Sequence, residues 1–433
     1  MEPGPLRARL ALMMFGQYMI LGAWAVPLAS YLLEQPTLGG LGFTPNQTSW
    51  IYSTTAIAAL LTPFVMGLLA DRLFATQRLL GFLNIIGAGL LFWTARYCSQ
   101  QQIAIREAVD PGAEIQSTFT ILMALMFANS MVLILTLSLC NVTGFRNLRE
   151  PKKSYGLIRL YGTVAWILIN LAIDLFGEPM SAQPLFVAAI ASLLMGIYSF
   201  TLPHTPPSRI GGKGISEAIG LPALKMFHKP SFRVLIFCAL CMSTIQQFYG
   251  VYANPYLRDL GAPKPMALQT MAQAAEVVCL IFFPVVLARY GFKITLGIGI
   301  MGWIVRNLLF ATGWLPLIAA LGLPLHGMCF AFFFLVANVY VDRNAPLHLR
   351  ASAQGILTFT AAGVGTLIGN YLSGEVLESC VSNGVINWAW FWLVPAAGAS
   401  VVFVYFVMFF QDDHPVVNAN TKNDTLLSTT AIA

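Results

Sequence analysis

What most constrains this chain is the recurrence, from one end to the other, of apolar stretches close to 20 residues long. An α-helix rises 1.5 Å per residue, so about 20 residues of helix cross the hydrocarbon layer of a bilayer. Twelve candidate spans can be marked: 10–33, 50–70, 79–95, 118–139, 157–176 and 184–202, then 234–256, 266–288, 294–313, 315–341, 355–373 and 388–410. Only 10% of the 433 residues are charged and 57% are hydrophobic. Soluble domains carry about 25% charged residues, so this composition belongs to a lipid-embedded protein. The expected fold class is an all-α membrane protein of twelve transmembrane helices in two six-helix bundles. Residues 1–202 form the first bundle, 203–232 a linker loop, 233–412 the second bundle and 413–433 a polar, disordered tail. The linker is basic and rich in Pro and Gly, as HTPPSRIGGKG from His204 illustrates.

Lysine and arginine set the orientation. If the amino terminus is cytoplasmic, only Arg96, Arg106, Arg258 and Lys264 fall outside, and Arg306 lies within the membrane. The other basic residues collect on the cytoplasmic side, so both termini are expected there, in a multi-pass protein of the cell inner membrane. The net charge of +6 is dispersed over these loops, which argues against a nucleic-acid partner. Arg7 and Arg9 precede an apolar run that continues to about Leu33 without a clear cleavage site, which reads as a retained first helix and not a signal peptide.

The seven cysteines follow no zinc or disulfide spacing, and Cys238 and Cys241 form a CxxC inside an apolar helix, where packing is the expected role. Cys98 and Cys380 both fall in loops expected outside, where a disulfide could form. No metal or cofactor is expected. Catalysis is not expected either: among the histidines only His326 can fall in a span, and no GxSxG accompanies it.

Two features carry mechanism. The first is GLLADR, Gly67 to Arg72, followed by Arg78 at the cytoplasmic end of the second span. It resembles the loop motif of the major facilitator superfamily, which implies that Gly67, Asp71 and Arg72 act in gating. The plainer reading is a stop-transfer charge cluster. A degraded counterpart, LARYGFK at Leu287 to Lys293, occupies the equivalent place in the second half and supports a parallel repeat.

The second feature is the scarcity of charge at membrane depth. Glu276 is the carboxylate near mid-span and Arg306 the deeply placed base. A charge at a helix centre costs about 2.5–3.5 kcal/mol on the insertion scale, so both read as functional, in proton coupling. A structural ion pair between them is the alternative. Gln273 sits one turn before Glu276, Gln246 and Gln247 lie in the preceding span, Gln17 and Trp24 share the first helix, and Arg159 and Thr163 are an i, i+4 pair. Amides beside aromatic faces suit an uncharged solute with hydroxyls and a flat ring.

At these residues the chain resembles the nucleoside:proton symporter family of the major facilitator superfamily. The resemblance runs through QYMILGAW from Gln17, NSMVLILTLSLCN from Asn129, RLYGTVAW from Arg159 and TLPH from Thr201. It continues through QAAE from Gln273, WIVRNLLFATG from Trp303 and RASAQG from Arg350. It implies proton-driven nucleoside uptake by alternating access, with Arg159, Thr163, Gln247, Gln273 and Glu276 lining the site and Phe330 near the base. The implied partners are a nucleoside, a proton and the lipid bilayer, with the protein a monomer. Two positions depart from the pattern: Ala331 stands where the family's familiar members carry an acid, and Gly250 where they carry an Asn. The first leaves coupling to Glu276 alone and keeps a facilitative carrier, or one for another sugar-like solute, as the alternative. A non-transporting membrane sensor is the remote one.

Overall fold

A computed structural model describes residues 4–69, 75–148, 150–206 and 220–412. Ten helices among them are long and apolar enough to cross a membrane, and Gln183–Ser199 is a shorter apolar helix. In chain order the helices are α1 (Gly4–Ala25), α2 (Leu28–Leu33), α3 (Pro45–Leu69), α4 (Thr76–Glu107), α5 (Pro111–Asn147), α6 (Pro151–Phe176) and α7 (Gln183–Ser199). After the linker come α8 (Pro230–Asp259), α9 (Pro265–Ala311), α10 (Leu315–Asn344), α11 (Arg350–Ser379) and α12 (Trp388–Phe409).

The helices begin where the chain supplies start signals: α5, α6, α7, α8 and α9 all carry Pro in their first turn, and Asp110 caps α5 by accepting from the Ala113 amide at 3.2 Å. Several outrun their expected spans. The third was expected over 79–95, yet α4 continues to Glu107, because a helix need not stop where the apolar run does when its last turns stand in water. This extension places Cys98 inside a helix and fully buried. Cys98 and Cys380 are both free thiols, so the disulfide considered between them is not formed.

The expected spans 266–288 and 294–313 are two arms of α9, bent at Gly291, whose φ of 73° is open to glycine without strain. Asp412 accepts from the amides of Phe292 and Lys293 at 3.0 and 3.3 Å, capping the second arm just past the bend. The one non-helical pairing among the described residues is a hairpin, Val381–Ser382 with Val385–Ile386. Its turn is Asn383-Gly384, both at positive φ (51° and 76°), as a two-residue hairpin loop requires.

Buried apolar side chains before residue 206 form one cluster, joined from outside only by Met266. Those after residue 220 form two more, joined by Ala29. The two parts touch where α2 meets α8, α3 meets α11 and α6 meets α9. The α8–α9, α6–α7 and α2–α3 loops share one face, called distal here. The described termini, at Gly4 and Asp412, lie at the opposite end of the helices.

Candidate functional site

The α6–α9 contact brings two charged candidate residues from different parts of the chain toward each other, Arg159 and Glu276, although the charge pattern of the sequence counts Arg159 among the cytoplasmic bases. Arg159 projects from α6, and its guanidinium lies over the ring of Tyr18 on α1, 3.9 Å from the centroid. This stacking suits a planar, weakly hydrated cation and fixes its orientation while leaving N–H groups free to donate. Tyr18 also lies against Gly162, where a Cβ would meet the ring at 2.6 Å, so the glycine is what lets α1 and α6 approach. Near the start of α6, Tyr155 donates to Asn141 Oδ1 at 2.6 Å and stacks on Phe145 at 4.1 Å.

Across from this wall stands α9. Glu276 is half-buried and lies within the electrostatic reach of Arg159. Its backbone is held by close packing: a Cβ on Gly327 of α10 would come 2.3 Å from the Glu276 nitrogen, so only glycine fits there. Gln273, half-buried, lies one turn earlier on α9. Gln247 on α8 is also half-buried and loosely held, donating to the Ser243 carbonyl at 3.4 Å and to Thr366 Oγ1 at 3.5 Å. Phe330 stands at the start of a π-helical turn in α10 and is 39% exposed. Thr163 is half-buried one turn beyond Arg159. The next residue after Phe330, Ala331, is fully buried.

Three expectations change. No ion pair joins Glu276 and Arg306 among the described residues. Arg306 donates to His326 Nδ1 at 3.0 Å and to Gln246 Oε1 at 3.4 Å, and stacks on Tyr249 at 4.5 Å. The reason is position: Arg306 sits on the second arm of α9, fully buried within the C-terminal part, whereas Glu276 on the first arm meets α6. Gln17 is fully buried in the N-terminal core. It donates to Thr136 Oγ1 at 2.8 Å and accepts from Asn84 at 3.4 Å, because an amide out of water needs partners. Trp24 is 2% exposed, buried in the N-terminal core like Gln17, although its indole N–H has no partner among the described residues. Gly67 falls in the last turn of α3, and Asp71 and Arg72 lie outside the described residues.

Sequence reasoning missed Tyr18, the platform under Arg159, although it stands directly after Gln17. It also missed Asp174, which lies inside the expected span 157–176. Asp174 is 2% exposed near the end of α6. Its carboxylate accepts from the Ala267 amide at 2.8 Å and its carbonyl from Lys264 Nζ at 2.5 Å. With it, the distal face is tied shut by Ser30 to Asn254 (2.6 Å), Arg258 to Glu34 (2.5 Å), Tyr252 to the Pro45 carbonyl (2.7 Å) and the Asn46 amide to Glu378 (3.1 Å). Toward the opposite end, a cleft of about 260 Å³ separates α3 from α11, with Pro63, Gln354 and Thr358 among its walls.

The family model for the nucleoside H+ symporters matches residues 5–415. The chain belongs to that family. The putative nucleoside transporter YegT of Escherichia coli K12 is 30% identical over 435 residues, covering 96% of both chains. The xanthosine permease of the same organism is 29% identical, covering 94% of this chain and 96% of its own. A crystal structure of a point mutant of the nucleoside transporter NupG superimposes with a TM-score of 0.82 at 24% identity, covering 94% of this chain and all of that one, so the two share a fold.

Proposed function

We propose that this symporter imports nucleosides together with protons by alternating access, and that it is a carrier and not an enzyme. The observation that carries the reading is that Arg159 of α6 and Glu276 of α9, from the two parts of the chain, stand within electrostatic reach of each other where those helices pack. A cation and a proton-accepting carboxylate on opposite walls link protonation to the relative position of those walls. Ribose hydroxyls would be held by Gln273, Gln247 and Arg159, with Thr163 beside them and Phe330 against the base. A missing hydroxyl would leave half-buried amides unpaired, which is the basis for rejecting free bases.

In the same reading the protein has twelve spans in two six-helix bundles, counting the two arms of α9 and the short α7. Both termini are cytoplasmic and the protein works as a monomer in the inner membrane. The tied distal face and the cleft between α3 and α11 then describe a carrier closed to the outside, with Gly67, Asp71 and Arg72 closing the cytoplasmic side in the alternate state. Coupling draws on the membrane potential, about 2.3 kcal/mol per charge per 100 mV, as well as on the pH gradient.

The test is uptake of labelled uridine, inosine and xanthosine into proteoliposomes under an imposed pH gradient. Acid outside should stimulate uptake, and Glu276→Gln should abolish that stimulation while leaving nucleoside binding measurable. Uptake that ignores the gradient and survives Glu276→Gln unchanged defeats proton coupling through this residue. It would favour the second reading, facilitated diffusion, which the buried methyl of Ala331 beside Phe330 supports. Competition by sugars or free bases would instead point to another neutral solute.

A further inference from the structure

One groove among the described residues does not lie between the two parts. It opens on the outside of the N-terminal part, where α1 and α6 diverge near the chain terminus, and encloses about 650 Å³. The α6 wall is a stripe of exposed apolar side chains at i, i+4 and i+7: Leu157 (62% exposed), Tyr161 (51%) and Val164 (39%). This spacing gathers them on one face of α6, and Arg159, two residues from Leu157, projects from the other side toward α9. The groove therefore faces the bilayer. The α1 wall is cut back to Gly4, Ala8 and Ala11.

A purely apolar groove on a lipid-facing surface would be filled by any acyl chain and would select nothing. This one has a cation at its head. Arg7 donates through Nη2 to Ser154 Oγ at 3.3 Å, and its Nε is shielded from solvent with no partner among the described residues. A guanidinium N–H without an acceptor is costly, and an anionic oxygen relieves that cost best. Arg7 also stands at the depth of lipid headgroups, three residues before the first expected span begins at Leu10. Arg9 follows it two residues later on α1.

We propose that this groove is a binding site for one anionic phospholipid of the leaflet on the termini side, with its phosphodiester on Arg7 and one acyl chain along Leu157, Tyr161 and Val164. The site is independent of the transport reading, since it uses none of the residues placed around Arg159 and Glu276. Its consequence is that α1 and α6, which carry Tyr18 and Arg159, are braced from the lipid side.

The test is native mass spectrometry of the full chain released from detergent with equimolar phosphatidylglycerol and phosphatidylcholine. Wild type should retain one phosphatidylglycerol in preference to phosphatidylcholine. Arg7→Gln should lower that retention roughly fivefold, the loss expected for one basic contact at the membrane surface. Ala8→Trp, which fills the groove and keeps the guanidinium, should lower it as well, whereas Arg7→Lys should largely preserve it. Folding of each variant is checked by circular dichroism. Equal retention of both lipids overturns the proposal, as does undiminished retention by folded Arg7→Gln and Ala8→Trp. Displacement of the lipid by millimolar inorganic phosphate would reassign the site to a free anion. A rise in retention on removing residues 1–3 would make the chain's own terminus the occupant.

Discussion

The two parts of the chain solve the problem of polar groups inside a membrane differently. The N-terminal part buries neutral groups in closed exchanges: Gln17 with Thr136 and Asn84, Thr54 with Ser130 at 3.0 Å, and Ser192 with the Asn84 carbonyl at 2.8 Å. The C-terminal part buries a guanidinium, Arg306, among neutral acceptors. Both parts leave some buried polar atoms without partners among the described residues, Trp24 Nε1 and Asn129 Nδ2 in the first and Arg306 Nε and the Tyr249 hydroxyl in the second, but only in the second is the unpartnered atom at the core of the part a cation's. Backbone regularity divides the same way. Ile318–Gly322, Phe330–Leu335 and Phe359–Gly365 are π-helical turns, all in the C-terminal part, and α9 is bent at Gly291. Such turns recur at functional sites because they re-aim side chains that a regular helix would hide. Phe330, partly exposed on one of them, is an instance. The contrast teaches that one wall of the candidate site is a settled scaffold and the other is held under tighter constraint.

The strongest way to break that contrast is to add a methyl group to each part. At Gly327 the new Cβ would meet the backbone of Ala275 and Glu276, at 2.4 and 2.3 Å, and backbone cannot yield. Gly327→Ala should therefore cost about 3 kcal/mol, at the upper end for overpacking, and displace Glu276. At Gly16 the new Cβ would meet the sulfur of Met195 at 2.9 Å, which is the far end of a flexible side chain. Gly16→Ala should cost less than ~1 kcal/mol. Thermal unfolding of both variants in detergent checks the pair, and equal losses would remove the distinction between the parts.

The next comparison deletes one acceptor from each polar cluster. His326→Phe keeps the stacking on Tyr249, where the rings lie 4.8 Å apart, but strips Arg306 of its closest acceptor. Hydrogen bonds to charged groups are worth about 1.5–3 kcal/mol, so a loss of that size is expected. Thr136→Val removes the acceptor of Gln17 at nearly constant shape and breaks a neutral bond, for about 1 kcal/mol. Chemical denaturation in mixed micelles would measure the two. A larger loss for Thr136→Val would reverse the assignment of constraint.

How much of this was legible in the sequence follows the same division. The apolar spans, their order and the family were readable because lipid tolerates few alternatives to a long apolar helix. Glu276 was readable as a candidate because a charge at membrane depth is rare enough to stand out, and Arg159 because it pairs at i, i+4 with Thr163 in a stretch that resembles the family. What sequence could not assign was the partner of each. Arg306 and Glu276 fall in adjacent expected spans and invite pairing, but the two arms of α9 that carry them pack on different neighbours. Gln17 looked like a free ligand because an amide reads the same whether its partners are a solute or Thr136 and Asn84. Asp174 was passed over although it falls in the expected span 157–176; it stands near that span's end, and the start of α9 that covers it is far away in sequence.

Within the site itself, Arg159→Lys sharpens the comparison further. Lysine keeps the charge that faces Glu276 but loses the flat stacking on Tyr18 and the fork of donors. If the N-terminal wall positions and the C-terminal wall couples, KM for nucleoside should rise roughly tenfold, the equivalent of about 1.4 kcal/mol, while the response to a pH gradient persists. Loss of the gradient response with KM unchanged would place coupling on the N-terminal wall instead.

The smallest effect is expected at the distal face, where the parts meet through Arg258 and Glu34. Their side chains are 27% and 16% exposed, and pairs of this kind contribute about 0–1 kcal/mol because water competes for both charges. Glu34→Gln should therefore change uptake less than about threefold. Asp174→Asn is the informative partner experiment. Asp174 is nearly inaccessible and accepts a backbone amide from α9, so removing its charge weakens a bond that water cannot replace. Labelling of single cysteines introduced into the α2–α3 loop, with and without nucleoside, would read how far each variant opens this face. If Glu34→Gln opens it as much as Asp174→Asn, the surface pair and not the buried carboxylate holds the two parts together there, and the buried contacts of α6 with α9 would lose their place as the stronger tie.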